Sequence, residues 1–246
     1  MPELRKIRGK VNLTLDIIGT QGEVHLIRSL FLKIPVETKG LFWRDPGLFR
    51  IEKLDIPYTN SKAYKTYLRK PCSAYIFQSI PTGYGLGGSA ADDALIASYT
   101  GVRPSSRDAY FLLDSSKLAL VEGDQTNIKP LELPFPLELL VVFPPFLAET
   151  KELYRRWDAN PVTTDYTEQA LRALKEGDKD TFESCFGNVF EHYLDATLRD
   201  LREHLMSFGP FIMTGSGSAF FAPLAKVRKY PDLPFRIFLI ERWSPK

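Results

Sequence analysis

The chain has 246 residues, 44% of them hydrophobic, a length that suits one large domain or two modest ones around a shared cleft. Lys+Arg number 32 against Asp+Glu 30, and a formal charge of +2 excludes the dense phosphate track of a nucleic-acid binder and a strong electrostatic pull to anionic membranes. The charged start "MPELRKIRGK" has no apolar run behind it, and "LELLVVFPPFL" is too short and too interrupted to cross a bilayer, so the expectation is a cytoplasmic protein without a membrane segment.

In chain order, "KVNLTLDII" alternates well enough to be a strand, "GTQGE" is a loop, and "VHLIRSLFLKIPV" is a second strand. "GLFRIEKLDIP" adds short strand pieces, and Asn60 is expected to cap a helix through "SKAYKTYLRK". "CSAYIFQSIP" is a strand ending at Pro81, and "SAADDALIASYT" a helix stopping near Gly101. "SSRDAYFLLDSS" is a helical turn or a loop feeding one, and "KLALVEGD" is a strand and turn. The proline-rich "NIKPLELPFP" marks a domain boundary, which divides the chain into 1–133 and 134–246. The second half opens with the strand "LELLVVFPP", continues with helices around 149–156, 164–175 and 178–206, then has two apolar pieces, "PFIMTG" and "SAFFAPL", flanking a small-residue turn, and closes on the strand "PFRIFLIER". Strands and helices mix without a regular βαβ alternation, which predicts an α+β fold of two sub-domains.

The stretch "PTGYGLGGSAADD" concentrates four glycines, Gly83, Gly85, Gly87 and Gly88, just before a helix. Glycine permits backbone conformations closed to other residues and a close approach to a ligand. The free N–H groups of a helix start attract phosphate, and Ser89 could add a hydroxyl toward phosphate or a magnesium ion. No Gly-Lys-Ser/Thr follows, so the loop is not a Walker A motif. Asp92 and Asp93 are placed in the first helical turn, where they would suit the helix dipole. A second small-residue loop, "MTGSGSA", carries Gly215, Ser216, Gly217 and Ser218. Either loop alone could be a plain turn; one in each half suggests two walls of a cleft. The two cysteines and three histidines are dispersed in no metal-ligand spacing. Lys10 interrupts an apolar strand and Asp108 precedes an apolar run, each as consistent with a solvated charge or a helix cap as with phosphoryl transfer.

These motifs resemble, in family order, those of the GHMP kinase superfamily. "PTGYGLGGSAAD" is similar to its central ATP-binding motif and "MTGSGSAFFA" to its C-terminal glycine-rich motif. Within it, the resemblance is greatest to the branch whose acceptor is a cytidine-diphosphate-linked methylerythritol: Lys10 and Asn12 fall on its Lys-x-Asn pattern, His25 on its Gly-Tyr-His segment, Asp108 on its catalytic aspartate, and Thr150 and Tyr154 on its later Thr and Tyr. The resemblance implies a two-domain fold with the active site between the domains, and ATP and Mg²⁺ as cofactors. It implies Lys10 and Asp108 as the catalytic pair. Pro81, Gly83, Gly85, Leu86, Gly87, Gly88, Ser89, Ala90 and Ala91 would form the ATP loop, with Ser89 toward the metal. Asn12, His25, Thr150, Gly215, Ser216, Gly217 and Ser218 would face a small-molecule alcohol. His25 would bind the cytosine edge. Asp92, Asp93 and Glu122 are further candidates for the metal. No nucleic-acid or membrane partner is implied, and a monomer or weak homodimer is expected. The sequence departs from the branch at Val24, where a stacking Tyr is usual, at Ala90–Ala91, where two serines are usual, and at Ser106–Arg107, where Gly-Ala is usual. Val24 keeps open a kinase for a different alcohol, and a non-catalytic nucleotide binder on the same fold is the other alternative.

Overall fold

The computed structural model describes residues 1–52 and 57–229, and the backbone of a closing strand at 236–243. Three strands open the chain: β1 (Glu3–Asn12), β2 (Thr14–Gln21) and β3 (Val24–Trp43). The expected first strand, 10–18, thus straddles two, with Leu13 between them fully buried and its N–H bonded to the Leu30 carbonyl at 2.8 Å. β3 is long enough to serve as an axis. β2 pairs with its first part and β1 with its remainder on one edge, from Gln21↔Val24 to Glu3↔Phe42.

The other edge of β3 takes β5 (Ser73–Phe77) and β6 (Leu118–Gly123), introduced after β4 (Phe49–Glu52) and α1 (Lys62–Arg69). Between those two strands lie α2 (Gly88–Thr100) and α3 (Asp108–Leu113). The cap of α1 is Ser61, whose hydroxyl accepts from the Tyr64 N–H, and not Asn60, which ends a preceding single turn. β7 (Asn127–Leu131) pairs only with β6, so Pro130, which has no N–H to give, sits on an edge. The proline-rich stretch 127–136 therefore holds the last strand of the first sheet as well as the passage to the second.

The second sheet is built on β8 (Leu137–Phe143). Helices α4 (Thr150–Ala159) and α5 (Tyr166–Glu176) follow. The single helical segment expected over 178–206 is broken. It contains α6 (Lys179–Ser184), the two-residue strand β9 (Gly187–Asn188), a 3₁₀ segment and α7 (Ala196–Met206). β9 pairs in parallel with β2 and so attaches to the first sheet. A Cβ at Gly187 would lie 2.5 Å from the Tyr166 ring, which explains the glycine there. β10 (Ile212–Met213), β11 (Phe220–Pro223) and β12 (Arg236–Trp243) complete a sheet ordered β10-β11-β8-β12.

One continuous core joins the two sheets, from Val11 and Phe31 through Leu95 to Val141, Phe190 and Phe221. Polar ties cross it too. The buried Asp16 carboxylate on β2 accepts from the Thr164 hydroxyl at 2.6 Å and from the N–H groups of Tyr166 and Thr167 at 3.1 and 2.8 Å, capping α5 from the other half of the chain. No helix among the described residues is long and apolar enough to cross a membrane.

Candidate active site

Helix α2 begins without a side-chain cap and without an acidic residue in its first turn; its N-cap is Gly87, at φ 80°. The free N–H groups of that turn and the positive end of the dipole are left for a ligand. The loop before it alternates left-handed glycines, with φ 80° at Gly83 and 75° at Gly85. At Gly85 the requirement is also steric: a Cβ would stand 1.9 Å from the Thr214 carbonyl oxygen, and one at Gly217 would stand 1.9 Å from the Gly85 nitrogen. The two small-residue loops therefore lie backbone against backbone.

The second loop is held from behind. The Asn188 amide donates to the carbonyls of Met213 and Gly215, both at 2.7 Å, and the Thr214 hydroxyl accepts from the Asn12 N–H at 2.9 Å. The first loop is tied to β1 by the Lys10 N–H, which donates to the Leu86 carbonyl at 3.0 Å.

Lys10 is 3% exposed, and its ammonium group donates to the Gly85 carbonyl at 2.9 Å and to the Asn12 side-chain oxygen. It sits 3.3 Å from Asp108 Oδ2 and 4.8 Å from the centre of the Phe31 ring. A buried ammonium demands such partners. Asp108 opens α3, and the loop before it is fixed by Asp93, which accepts from the Ser106 N–H at 2.5 Å and from the Thr66 hydroxyl. Burial pushes the Asp93 carboxyl above its ordinary range, against the pull of those hydrogen bonds.

Two cavities meet at Asp108. The larger, about 270 Å³, is lined by Gly83, Gly85, Gly87, Gly88, Ser89 and Ala90, and also by Lys62, Arg107, Thr150, Ser216 and Gly217. The smaller, about 100 Å³, is lined by Lys10, Asn12, Phe31, Phe190, Gly215 and Ser216 among others. Asp108, Gln125 and Tyr154 border both. Asp108 is the one carboxylate among the lining residues, whereas Lys10, Lys62 and Arg107 supply cations. Such a lining suits a polyanion in the larger space and a hydroxyl beside Asp108 in the smaller.

Of the other residues singled out in the sequence, Thr150 is joined to Ser216 by a hydroxyl–hydroxyl bond of 3.0 Å. Pro81, Leu86, Ala91 and Ser218 line neither cavity: Leu86, Ala91 and Ser218 are buried, and the Pro81 carbonyl packs behind Gly88. His25 is also outside both linings. Its Nε2 lies 2.7 Å from Asp158 Oδ1, and its ring is 4.3 Å from that of Tyr154. The Tyr154 phenol, pushed up to about 12 chiefly by burial, packs edge-on against Phe190 at 4.8 Å.

Asp92 and Asp93 lie beyond the first turn of α2 and are buried, so they neither compensate its dipole nor face the cavities. Glu122 is paired with Arg28 at 3.0 Å and Lys129 at 2.6 Å. No cluster of three or more His, Cys, Asp or Glu side chains suited to a metal occurs among the described residues. Three lining residues, Lys62, Arg107 and Gln125, were assigned no role from the sequence, and Asp93 supports the Ser105–Asp108 turn instead of facing a metal. Gln125 is the one non-glycine residue among those described with a positive φ, 73°, and it is 7% exposed. It sits in a β6–β7 turn that no motif marks.

Asp92 makes a testable contribution of its own. It accepts from the Gln78 amide, its other oxygen has no partner, and burial raises its carboxyl to about 7 from 3.8. A carboxyl raised on folding contributes full stability below its unfolded value, and that contribution is lost as pH rises through about 7. Asp92→Asn should therefore gain stability over the parent on going from about pH 5 to about pH 8.5, by about 3 kcal/mol. Denaturant unfolding of both proteins at the two pH values measures it; a pH-independent difference would mean that Asp92 is not buried as described.

No family model matches the chain. Its fold is the GHMP kinase fold: it superposes on Streptococcus pneumoniae phosphomevalonate kinase, solved with phosphomevalonate and AMPPNP, with a TM-score of 0.65 at 13% identity over 89% of this chain and 91% of that one. A solved 4-(cytidine 5'-diphospho)-2C-methyl-D-erythritol kinase gives a TM-score of 0.67 at 24% identity over 90% of both chains. More particularly, in sequence the chain is similar to the 4-diphosphocytidyl-2-C-methyl-D-erythritol kinase of Moorella thermoacetica, 27% identical over 88% of each chain.

Proposed function

We propose that the protein is an ATP-dependent small-molecule kinase that phosphorylates the 2-hydroxyl of 4-diphosphocytidyl-2-C-methyl-D-erythritol, yielding the 2-phosphate and ADP for non-mevalonate isoprenoid precursor synthesis. The observation that carries this reading is the Lys10–Asp108 pair, 3.3 Å apart, with Asp108 at the junction of the two cavities and Lys10 lining the smaller. The loop 83–90 and the start of α2 receive the ATP phosphates in the larger cavity. The acceptor alcohol enters the smaller one beside Asp108, which orients it and accepts its proton as the acceptor oxygen bonds to the γ-phosphorus. Lys10 holds Asp108 in place from 3.3 Å and offsets the charge that gathers on the transferring group.

Phosphate-bound Mg²⁺ uses few protein oxygens, and of the hydroxyls that line the larger cavity Ser89, at the head of α2, would supply one. The ion's chemistry is to offset phosphate charge. Residues 1–133 form the nucleotide-binding half and 134–246 the half that carries Thr150 and the loop 215–218. Tyr154, bordering both cavities and packed on His25, supplies the aromatic face that Val24 lacks.

One observation favours a second reading, a kinase of the same fold for another alcohol: His25 is engaged by Asp158 and Tyr154 and lines neither cavity. ADP release measured across acceptors, including the cytidine-linked substrate, mevalonate, phosphomevalonate and homoserine, separates the two. The first reading predicts release with the cytidine-linked acceptor alone; release with another of them and not with it supports the second.

A further inference from the structure

We propose that Arg107 is a catalytic residue that grips the transferring γ-phosphoryl group from the nucleotide side. This rests on the kinase reading above. Arg107 immediately precedes Asp108 and lines the larger cavity together with loop 83–90, but it does not border the smaller cavity where Lys10 stands. Arg107 and Lys10 thus line different cavities that share Asp108. No hydrogen bond or ion pair within 4 Å engages the Arg107 guanidinium among the described residues, its Nη1 is buried without a partner, and the carboxylate that feels its charge, Asp124, is held by the Thr126 N–H and hydroxyl. Elsewhere in the fold Arg69 donates to Arg103 and Ser105, and Arg156 donates to Glu152 and Tyr193, whereas Arg107 is the one arginine among the described residues that lines either cavity. An uncommitted guanidinium beside a loop of free N–H groups is matched to phosphate, because its planar fork binds two oxygens at once.

The backbone that carries it is fixed. The Ser105 and Ser106 N–H groups are held by Thr66 at 3.0 Å and Asp93 at 2.5 Å, so Arg107 enters the cavity from a clamped turn. In the transfer, the acceptor oxygen forms its bond to the γ-phosphorus and its proton passes to Asp108. The bond from that phosphorus to the bridging oxygen breaks, and its electron pair leaves with ADP. Negative charge on the equatorial and leaving oxygens is what Arg107 neutralises.

The test has two arms, each on the full chain. In the first, Arg107→Ala is expected to lower kcat roughly 100-fold or more, with the acceptor KM changed little and the melting temperature retained; Arg107→Lys should recover part of the loss. A kcat for Arg107→Ala within about threefold of the parent would overturn the proposal. In the second, titration without acceptor compares a non-hydrolysable ATP analogue with ADP. Arg107→Ala, or Arg107→Lys should the alanine variant not fold, is expected to lose affinity for the analogue and not for ADP. Equal effects on both nucleotides would overturn the γ-phosphoryl contact. This arm needs no turnover, so a parent protein that makes no product overturns the kinase reading and leaves Arg107 tested.

Discussion

Asp108→Asn is expected to lower turnover by roughly 100- to 10,000-fold, the range for loss of a positioned general base, while ATP still binds. The substitution preserves shape at the head of α3 and removes the charge 3.3 Å from the Lys10 ammonium. Lys10 is buried, but it keeps the Gly85 carbonyl and the Asn12 oxygen as acceptors, and Asp108 itself retains 28% side-chain exposure. The fold should therefore survive, and the larger cavity, whose phosphate-facing groups are backbone N–H and other side chains, should still take nucleotide. Initial rates and an ATP titration on the same preparation check both halves. Near-parental turnover would remove Asp108 from the chemistry, and lost ATP binding would mean that it shapes the nucleotide site instead.

The second large effect is expected at the contact between the loops. Gly85→Ala must place a Cβ 1.9 Å from the Thr214 carbonyl oxygen at a φ of 75°. The left-handed conformation costs about 1–2 kcal/mol and overpacking about 1–3 kcal/mol more. Gly177→Ala is the matched control: it has a φ of 70° and nothing within 4 Å of its Cβ, so it carries the conformational cost alone. In a chain of this size each kcal/mol lowers the melting temperature by about 2–4 °C, so Gly85→Ala should melt well below Gly177→Ala. It should also lose activity beyond its loss of stability, because relief requires the loops 83–88 and 214–217 to part, and both line the cavities. Equal melting of the two variants would show that the loops are not in contact in solution.

The glycines made α2 and its leading loop legible. A run of flexible positions followed by small helix formers and stopped by Gly101, whose φ is 73°, has one simple local solution. The α+β mixture and the strands on either side were legible by alternation. What failed was legible only in three dimensions. Asp92 and Asp93 read as first-turn residues suited to the helix dipole, yet they lie beyond that turn and α2 is buried on nearly every side, as its alanines allow. The break within 178–206 came from Gly187 fitting under Tyr166 and pairing with Thr14, contacts remote in sequence. Ser61 rather than Asn60 capped α1 because the preceding turn used Asn60 first.

The site divides in the same way. Spacing suggested two phosphate-facing loops, but the pairing of Lys10 with Asp108, 98 residues apart by their numbers, was accessible only through resemblance. The places of Arg107 and Gln125 had no such route, because an arginine before an aspartate and a glutamine in a turn are ordinary until the fold sets them on a cavity wall.

The central claim is most directly tested by incubating the pure protein with ATP, Mg²⁺ and 4-diphosphocytidyl-2-C-methyl-D-erythritol and following the reaction by phosphorus NMR. The proposed chemistry predicts a new phosphomonoester on the acceptor in a one-to-one ratio with ADP, absent without acceptor. ATP binding with no such ester formed would contradict it.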